Sequence, residues 1–343
     1  MDDNLSASGL NDMPMVSTEE PGDNVYPYYF PPSTHVIVGS YLVLIGVLGT
    51  IGNGLVLVTF LRFRVLVTPT SLLLINLAIS DLGLILFGFP FSSSSSFSGR
   101  WLFGDGGCQW YAFMGFLFGS AHIGTLTILA LDRYLIACRI SLRGKLTYRR
   151  YTQMLSAVWA YAMFWSLMPL IGWGRYGLEP SVTTCTIDWQ HNDSSYKSFI
   201  IVYFVLGFLV PFAIIAVCYC AIARRARRKV KERAVVRDQW TNERNVTLMS
   251  FILIVAFVVA WSPYAVLCLW TIFAPPSTAP PFLTLIPPLF AKSSTVLNPL
   301  IYFLTNPKLR AAILSTMACC KEAPLQNIEL PDSPERAANA DAI

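Results

Sequence analysis

The first long apolar stretch of the chain, residues 36–61, reads VIVGSYLVLIGVLGTIGNGLVLVTFL and contains no Asp, Glu, Lys or Arg. A helix needs about 20 mostly apolar residues to cross the hydrocarbon core of a membrane. This stretch is therefore predicted to be a membrane-spanning helix. The strands of a membrane β-barrel would instead alternate apolar and polar residues over segments of about ten residues, and the sequence shows no such segments.

Six further apolar stretches follow, and the composition agrees with them. The chain is 54% hydrophobic and 13% charged, whereas soluble domains average about 25% charged residues. The sequence therefore predicts an all-α protein, a bundle of seven transmembrane helices. The predicted spans are 36–61, 71–97, 106–138, 151–173, 198–223, 246–273 and 282–304.

Basic residues mark one side of the predicted membrane. They cluster after the first, third and fifth spans, whereas residues 1–35 contain six acids and no Lys or Arg. Cytoplasmic loops carry the excess of Lys and Arg, so the amino terminus is predicted to be extracellular. In this setting the basic run at 224–237 indicates contact with anionic lipid or a cytosolic partner, and no nucleic acid is expected.

This topology divides the chain into four parts. Residues 1–35 are predicted to form an extracellular acidic tail, and residues 36–304 the seven-transmembrane bundle. Residues 305–320 are predicted to form a short amphipathic eighth helix at the membrane edge. Residues 321–343 are polar and indicate a disordered cytoplasmic tail. The expected location is the plasma membrane, with the chain as a multi-pass protein.

The cysteines sort by the side of the membrane on which they are expected. Cys108 and Cys185 are the two predicted at the outer surface, where disulfides persist, and we expect them to be paired. Two kinds of modification are predicted at other positions. Candidate glycosylation sites are Asn4 and Asn192, and a candidate palmitoylation pair is Cys319 and Cys320.

Three polar residues lie inside predicted spans at similar depth: Asn53, Asp81 and Asn298. Charged groups in transmembrane helices are rare and are usually functional. A lone buried Asp is most simply the centre of a few packing hydrogen bonds. Three such residues on different helices favour an internal polar network that holds water or an ion.

The third span ends in Asp132-Arg133-Tyr134, and Glu243 precedes the sixth span on the same side. These charges could serve as anchors at the membrane interface. A guanidinium can also bind a carboxylate in bidentate fashion, and such a pair can hold two helix ends together and release them. The pattern therefore favours a two-state switch.

Lys292 is the least expected residue, because it lies in the apolar seventh span, two turns before Pro299. An isolated charge there costs at least about 2.5–3.5 kcal/mol. Three explanations remain open at this point. The amine is neutral because of desolvation, it is paired with a carboxylate, or it forms an imine with an aldehyde.

Several short motifs together resemble class A G-protein-coupled receptors and cover all seven spans. They are GN at 52–53, NLAISD at 76–81, LDRY at 131–134, Trp159, WSPY at 261–264 and NPLIY at 298–302. A lysine seven residues before the proline of the last motif is the mark of opsins. The stretches WYAFMGFLFGSAHIGTLTILALDRYL and CTIDW are most similar to the neuropsin group.

The opsin resemblance implies that Lys292 carries retinal as a Schiff base. In vertebrate visual opsins a glutamate three residues after the cysteine of the third span is the counterion, but this chain has Tyr111 there. The alternative position, six residues before the loop cysteine, is Glu179, and we expect it to be the counterion. The alternative for Glu179 is a solvated loop acid. The residues expected to line the retinal pocket are Tyr111, Phe204, Phe208, Phe257, Trp261 and Tyr264.

The resemblance also implies roles at the cytosolic end. The residues expected to form the activation switch are Asp132, Arg133, Tyr219, Glu243, Asn298, Pro299 and Tyr302. The expected partner is a heterotrimeric G protein, with arrestin, a receptor kinase and membrane lipid as further candidates. The sequence TNPKLR at 305–310 departs from the visual ciliary pattern, which argues against transducin. His122 is either a satisfied core histidine or a proton-sensitive spectral tuner.

The function implied is a light-sensing receptor that activates a G protein when retinal photoisomerises. The chain is not expected to be an enzyme or to hold a metal. The alternative within the same fold is a retinal photoisomerase that supplies one isomer. A third alternative is a receptor for a diffusible ligand in which Lys292 only pairs with a carboxylate.

Overall fold

The computed structural model describes residues 30–139, 146–188, 190–191, 193–231, 237–274 and 280–318, with only the backbone for 228–231 and 237–243. Six predicted sites or segments lie outside these residues. They are residues 1–29 of the acidic tail, Asn4, Asn192, the pair Cys319 and Cys320, the side chain of Glu243, and the tail at 321–343.

The described chain is mostly helical. The first four long helices are α1 (Pro32–Arg62), α2 (Ser71–Phe97), α3 (Gly104–Cys138) and α4 (Tyr148–Leu167), which continues as a 3-10 turn, Met168–Ile171. The fifth, α5, is continuous through Ser194–Tyr203, a π-helical segment Phe204–Leu209, and Val210–Lys231. The last three are α6 (Arg237–Phe273), α7 (Pro281–Thr305) and α8 (Pro307–Met317).

Each of the seven predicted spans corresponds to one of the helices α1–α7, and the all-α bundle is confirmed. Within the described residues, α1–α6 are long and apolar enough to cross a membrane. Helix α7 is less apolar because it carries Lys292, Asn298 and several Ser and Thr residues. It nevertheless packs against α1, α2 and α6 and completes the bundle. The predicted eighth helix is α8, which packs on α1 and α7.

The π-helical segment in α5 was not predicted from the sequence. It lies just before Pro211, which has no N–H to donate to the carbonyl four residues earlier. A π-turn is a common way for a helix to adjust around such a missing bond. It changes the direction of the Phe204 and Phe208 side chains relative to a regular helix, and both face the cavity described below.

Helix α3 lies at the centre of the bundle and contacts α2, α4, α5 and α6. The buried side-chain amide of Asn76 on α2 joins that helix to α3 and α4. Its nitrogen donates to Thr125 Oγ1 at 2.8 Å, and its oxygen accepts from Trp159 Nε1 at 2.9 Å. Because lipid offers no competing hydrogen-bond partners, this amide sets the relative depth of α2, α3 and α4.

A short hairpin on the outer side is the main non-helical element among the described residues. Strand β1 (Tyr176–Leu178) pairs antiparallel with β2 (Cys185–Ile187), with Leu178 opposite Cys185. Cys185 forms the predicted disulfide with Cys108, near the start of α3. The disulfide therefore holds the hairpin over the outer end of α3.

Close contact between α2 and α3 depends on Gly83. A Cβ added there would lie 2.2 Å from Phe118 Cε1. We expect Gly83→Ala to lower the stability of the folded protein by about 1–3 kcal/mol, because the ring must move to relieve the overlap. Gly54→Ala is the matched control, since a Cβ there meets no atom within 4 Å.

Thermal unfolding in detergent, followed by circular dichroism, measures both variants. The apparent Tm should fall for Gly83→Ala and stay level or rise for Gly54→Ala, because Ala favours a helix over Gly. Equal effects of the two substitutions would contradict the proposed contact.

Candidate functional site

A single cavity in the outer half of the bundle brings together most residues of the predicted site. Side chains from α2, α3, α5, α6 and α7 form its walls, and the hairpin covers it. Most of the lining residues are apolar or aromatic. Among the described lining residues, Glu179 and Lys292 are the two with acidic or basic side chains.

Lys292 enters the cavity from α7 and is half-buried. Its Nζ lies 5.5 Å from the centre of the Tyr111 ring. An ammonium at this distance from an aromatic face is attracted by the ring electrons. Among the described residues, no ion pair within 4.0 Å joins Lys292 to a carboxylate.

Glu179 lies in the turn of the hairpin and is 6% exposed. Its carboxylate accepts a hydrogen bond from Thr184 Oγ1, and its backbone N–H donates to the Thr184 carbonyl at 2.9 Å. Burial raises the pKa of the Glu179 carboxyl, while Thr184 and the charge of Lys292 act in the opposite direction. The alternative of a solvated loop acid does not agree with this position.

The six residues predicted to line a pocket all line this cavity: Tyr111, Phe204, Phe208, Phe257, Trp261 and Tyr264. Several of them also pack on one another. Phe204 stacks on Phe208 with ring centres 5.6 Å apart, and Phe257 stacks on Trp261 at 5.4 Å. Trp261 Nε1 donates to Ser294 Oγ at 3.2 Å. The aromatic wall is thus linked to α7, two residues after Lys292.

Some residues of the cavity and its walls were not predicted from the sequence. Thr184 could have been found from the hairpin register, because the pairing of Leu178 with Cys185 places Glu179 opposite Thr184. Two hydroxyl pairs carried no such signal. Thr186 Oγ1 lies 2.5 Å from Tyr264 Oη, and Tyr203 Oη lies 2.9 Å from Ser120 Oγ.

The predicted polar network has two parts in the structure. Asn298 Nδ2 donates to Asp81 Oδ2 at 2.7 Å. Asn53 instead donates to the backbone carbonyl of Thr295 at 2.8 Å. That carbonyl has lost its usual helical partner because residue 299 is a proline. Asn53 therefore supplies the hydrogen bond that the Thr295 carbonyl in α7 lacks. Asp81 and Asn298 contact each other directly.

His122 joins Asp81 and Asn298 as a fourth member of this network, and it was not predicted to belong there. It is 2% exposed, and its Nδ1 lies 3.2 Å from Asp81 Oδ1. Its Nε2 lies 3.4 Å from Asn298 Nδ2. This placement agrees with the interpretation of His122 as a core histidine with polar partners.

At the predicted cytosolic end, Arg133 forms an ion pair with its neighbour Asp132. Arg133 Nη2 also donates to Thr70 Oγ1 at 3.3 Å, and Tyr151 Oη donates to Asp132. These contacts join α3 to the start of α2 and to α4. The hypothesis of a contact between Arg133 and residue 243 concerns a side chain outside the described residues.

Two tyrosines predicted to belong to the switch are placed on different helices. Tyr302 on α7 is fully buried, and its hydroxyl has no hydrogen-bond partner among the described residues. Tyr219 on α5 packs against Phe251 on α6, with ring centres 5.2 Å apart. Within the described residues, neither hydroxyl is hydrogen-bonded to Asp132 or Arg133.

Comparison with known proteins agrees with this geometry. The family described as "7 transmembrane receptor (rhodopsin family)" matches residues 52–302. The human visual pigment-like receptor peropsin is 40% identical over 293 residues, which cover 84% of this chain and 87% of the relative. Human Opsin-5 is 37% identical over 297 residues, which cover 85% and 82%.

A solved structure has the same fold. The crystal structure of squid rhodopsin matches with a TM-score of 0.81 and 30% sequence identity, over 95% of this chain and 97% of that one. The motifs, the seven-helix bundle, the cavity and these relatives lead to one assignment. The chain belongs to the rhodopsin family of seven-transmembrane receptors and is an opsin near the neuropsin and peropsin groups.

Proposed function

We propose that this opsin is a light sensor that holds retinal covalently through a Schiff base on Lys292 and activates a heterotrimeric G protein after photoisomerisation. The observation that carries the proposal is the meeting of one amine and one buried carboxylate, Lys292 and Glu179, in an aromatic cavity. Membership of the family supports the fold, whereas the residues of this cavity support retinal as the ligand.

The lining residues fit retinal by their chemistry. A primary amine condenses with an aldehyde and releases water, and the apolar walls suit a long unsaturated chain. When bound, retinal supplies light absorption and two alternative shapes. Lys292 would provide the attachment point. Trp261 lines the cavity, is hydrogen-bonded to α7, and would offer a bulky ring to the ligand.

Glu179 is the residue that we propose holds a proton on the Lys292 nitrogen. Tyr111, at the position of the visual-opsin counterion, offers a ring face to the amine but no negative charge. An opposite charge within about 4–6 Å favours the protonated form of a basic group by about 1–3 pH units. Thr184 helps to keep the Glu179 carboxylate charged by donating a hydrogen bond to it.

The proposed coupling to a G protein depends on the cytosolic end of the bundle. Asp132 and Arg133 are buried and paired, and they join α2, α3 and α4 there. A ligand can shift a receptor only by its different affinity for the two states. We propose that α6 moves outward in the second state and that Arg133 exchanges partners when it does.

Four further features remain proposals. The amino terminus is extracellular, and the receptor lies in the plasma membrane. The domain limits are those predicted from the sequence, with tails at residues 1–35 and 321–343, although helix α1 already begins at Pro32. The carboxyl-terminal cysteines carry palmitate. Arrestin and a receptor kinase follow the G protein in the signalling sequence.

Replacing Lys292 with Ala should abolish the absorbance that the purified protein gains on incubation with retinal, because the cavity then has no amine. Lys197→Ala is the control, since Lys197 is a lysine of the outer side that does not line the cavity. Both variants are measured by absorption spectroscopy after incubation with 11-cis or all-trans retinal. A spectrum that survives in Lys292→Ala contradicts covalent attachment at this residue.

Replacing Glu179 with Gln should weaken proton binding at the Lys292 nitrogen in the loaded pigment. On alkaline titration, half of the visible band should be lost at a pH lower by about one to three units than in the wild type. Asp105→Asn is the control, because Asp105 is an exposed acid on the same side. An unchanged midpoint in Glu179→Gln would show that another group holds the proton.

A retinal photoisomerase is the second candidate function, because it would use the same lysine and cavity. The buried Asp132–Arg133 pair, far from the cavity, favours signalling, since isomer supply requires nothing at the cytosolic end. We expect light-dependent nucleotide exchange on added G protein, measured by binding of a non-hydrolysable GTP analogue. Continuous release of free isomer in the light without exchange would favour the photoisomerase.

A further inference from the structure

The turn between strands β1 and β2 contains three hydroxyl side chains beside Glu179. Ser181, Thr183 and Thr184 are 2%, 2% and 8% exposed, although they belong to a loop on the outer side. Hydroxyl groups of surface loops are mostly solvated, so the burial of three of them in one turn needs a cause. The hydrogen bonds of the turn supply that cause.

The three hydroxyls lie in a row that ends on the carboxylate. Thr183 Oγ1 lies 3.3 Å from Ser181 Oγ, and Ser181 Oγ lies 3.4 Å from Thr184 Oγ1. Thr184 Oγ1 donates to Glu179 Oε2. The two outer contacts are longer than the usual O–H···O distance of about 2.5–3.0 Å, so each of them is weaker than the contact at Glu179.

Counting hydrogens fixes the direction of this hydroxyl chain. An ionised carboxylate has no hydrogen to donate, so the single hydroxyl hydrogen of Thr184 is used at Glu179. Ser181 must then donate to Thr184, and Thr183 must donate to Ser181. All three O–H groups therefore point along one path toward the carboxylate. Successive hydrogen bonds with the same direction polarise and strengthen one another.

The backbone of Val182 closes this turn. Its φ is +51°, and among the described residues it is the one residue other than glycine with a positive φ. A β-branched residue is strained in this left-handed region. The Val182 N–H donates to the Glu179 carbonyl at 2.8 Å, and the Glu179 N–H donates to the Thr184 carbonyl at 2.9 Å. The strained residue thus holds the hydroxyl side chains of the turn next to the Glu179 carboxylate.

The other titratable groups near Glu179 come from three helices. Among the described residues, the Lys292 amine faces it from α7, and Tyr264 and Cys268 face it from α6. On α3, Tyr111 packs against the hairpin. Burial raises the pKa of the Glu179 carboxyl, whereas the hydroxyl donor and then the amine lower it. The charged carboxylate therefore depends on one cation and on the hydroxyl chain.

We propose that Ser181 and Thr183 are positioning residues that act through Thr184 to keep the Glu179 carboxylate charged, and that Val182 holds the turn in the conformation that this requires. Ser181 directs the hydroxyl hydrogen of Thr184 toward the carboxylate by occupying its lone pair. Thr183 does the same for Ser181. The strain at Val182 is the cost of bringing the three hydroxyls into line.

Protonation of Glu179 disrupts this alignment. A protonated carboxyl group is itself a donor, and Thr184 then accepts from it, so the direction of the chain reverses. Uptake of a proton from water therefore replaces a charge-assisted hydrogen bond by a weaker neutral one, and the whole chain must turn with it. The chain itself does not depend on retinal, whereas its effect on the Lys292 nitrogen rests on the proposed function.

The chain is tested without retinal by ¹³C NMR of protein that is labelled at the glutamate carboxyl carbons, in lipid nanodiscs. The Glu179 signal is the one that is lost in Glu179→Gln. Ser181→Ala and Thr183→Val should each raise the proton affinity of Glu179 by about two- to tenfold, because each removes one hydrogen bond that favours the charged form. Thr183→Ser should restore the wild-type titration, since it keeps the hydroxyl.

Ser194→Ala is the matched control, because Ser194 is an exposed serine at the start of α5, outside the hairpin. An unchanged Glu179 midpoint in either Ser181→Ala or Thr183→Val would overturn the chain. An equal change in Ser194→Ala would overturn it as well. So would a change in Thr183→Val that Thr183→Ser does not restore, because the hydroxyl would then not be the cause.

The role of Val182 is tested by three substitutions at that position. Val182→Gly should have a higher apparent Tm than Val182→Ala, because both remove the valine side chain and only glycine adopts a positive φ without strain. Val182→Pro should raise the proton affinity of Glu179 at least as much as Thr183→Val, since proline fixes φ at about −65° and lacks the N–H that closes the turn.

An alanine variant as stable as the glycine variant would overturn the left-handed constraint at Val182, whether or not the proline variant folds. A proline variant that folds and leaves the Glu179 midpoint unchanged would also overturn it.

Acid titration of the pigment tests the link to the Lys292 nitrogen. Protonation of Glu179 removes the charge beside that nitrogen, so the midpoint at which the visible band changes should rise in Ser181→Ala and Thr183→Val. If the wild-type protein forms no pigment, the absorption spectrum shows that the proposed function has failed, while the NMR titrations still decide the chain. If pigment forms and the NMR midpoint moves without the midpoint of the band, the link to Lys292 is wrong.

Discussion

The structure depends on the cost of keeping the Lys292 amine inside an apolar bundle. A charged side chain at the membrane centre costs at least about 2.5–3.5 kcal/mol. The cation–π contact between Lys292 and the face of the Tyr111 ring contributes about 0.5–2 kcal/mol, which is less than that cost. A negative charge must therefore come close, and among the described cavity residues Glu179 is the acid available. The outer hairpin is thus part of the site rather than a cover alone.

The position of Glu179 follows from covalent and backbone contacts outside the membrane. The Cys108–Cys185 disulfide fixes β2 to α3, and the pairing of β1 with β2 then places the turn over the cavity. Burial alone would protonate the Glu179 carboxyl more readily. The nearby amine and Thr184 oppose this effect. The buried carboxylate and the half-buried amine therefore each lower the cost of keeping the other charge in the cavity.

The features that were predictable from the sequence are those with a strong local cause. Span length follows from membrane thickness, so all seven helices were found, and the side of the membrane selected the pair Cys108 and Cys185. Lys292 stood out as a basic residue in an apolar span, and the opsin resemblance implied Glu179; both line the cavity, while their roles stay predictions. Contacts that depend on how a helix is rotated could not be predicted, because helices apolar on all sides show little periodicity. The pairs Thr186–Tyr264 and Ser120–Tyr203 are of this kind.

His122 shows the same limit, since its sequence position reveals the helix but not which neighbours the ring meets. In the bundle its Nδ1 lies 3.2 Å from Asp81 Oδ1. In both the outer and the inner half of the protein, a buried carboxylate lies near a nitrogen-bearing side chain. Helix α7 contributes to both, because Lys292 and Asn298 are six residues apart, about 9 Å along the axis.

Between these two residues, α7 is held by contacts that differ from an ordinary helix. Pro299 leaves the Thr295 carbonyl without its helical donor, and Asn53 on α1 replaces it. Ser294 receives the Trp261 N–H from α6. The segment therefore has side-chain partners on two neighbouring helices and fewer backbone bonds of its own. A segment held in this way can rotate by exchanging side-chain partners, and such a rotation would change the surroundings of Lys292 and Asn298 together.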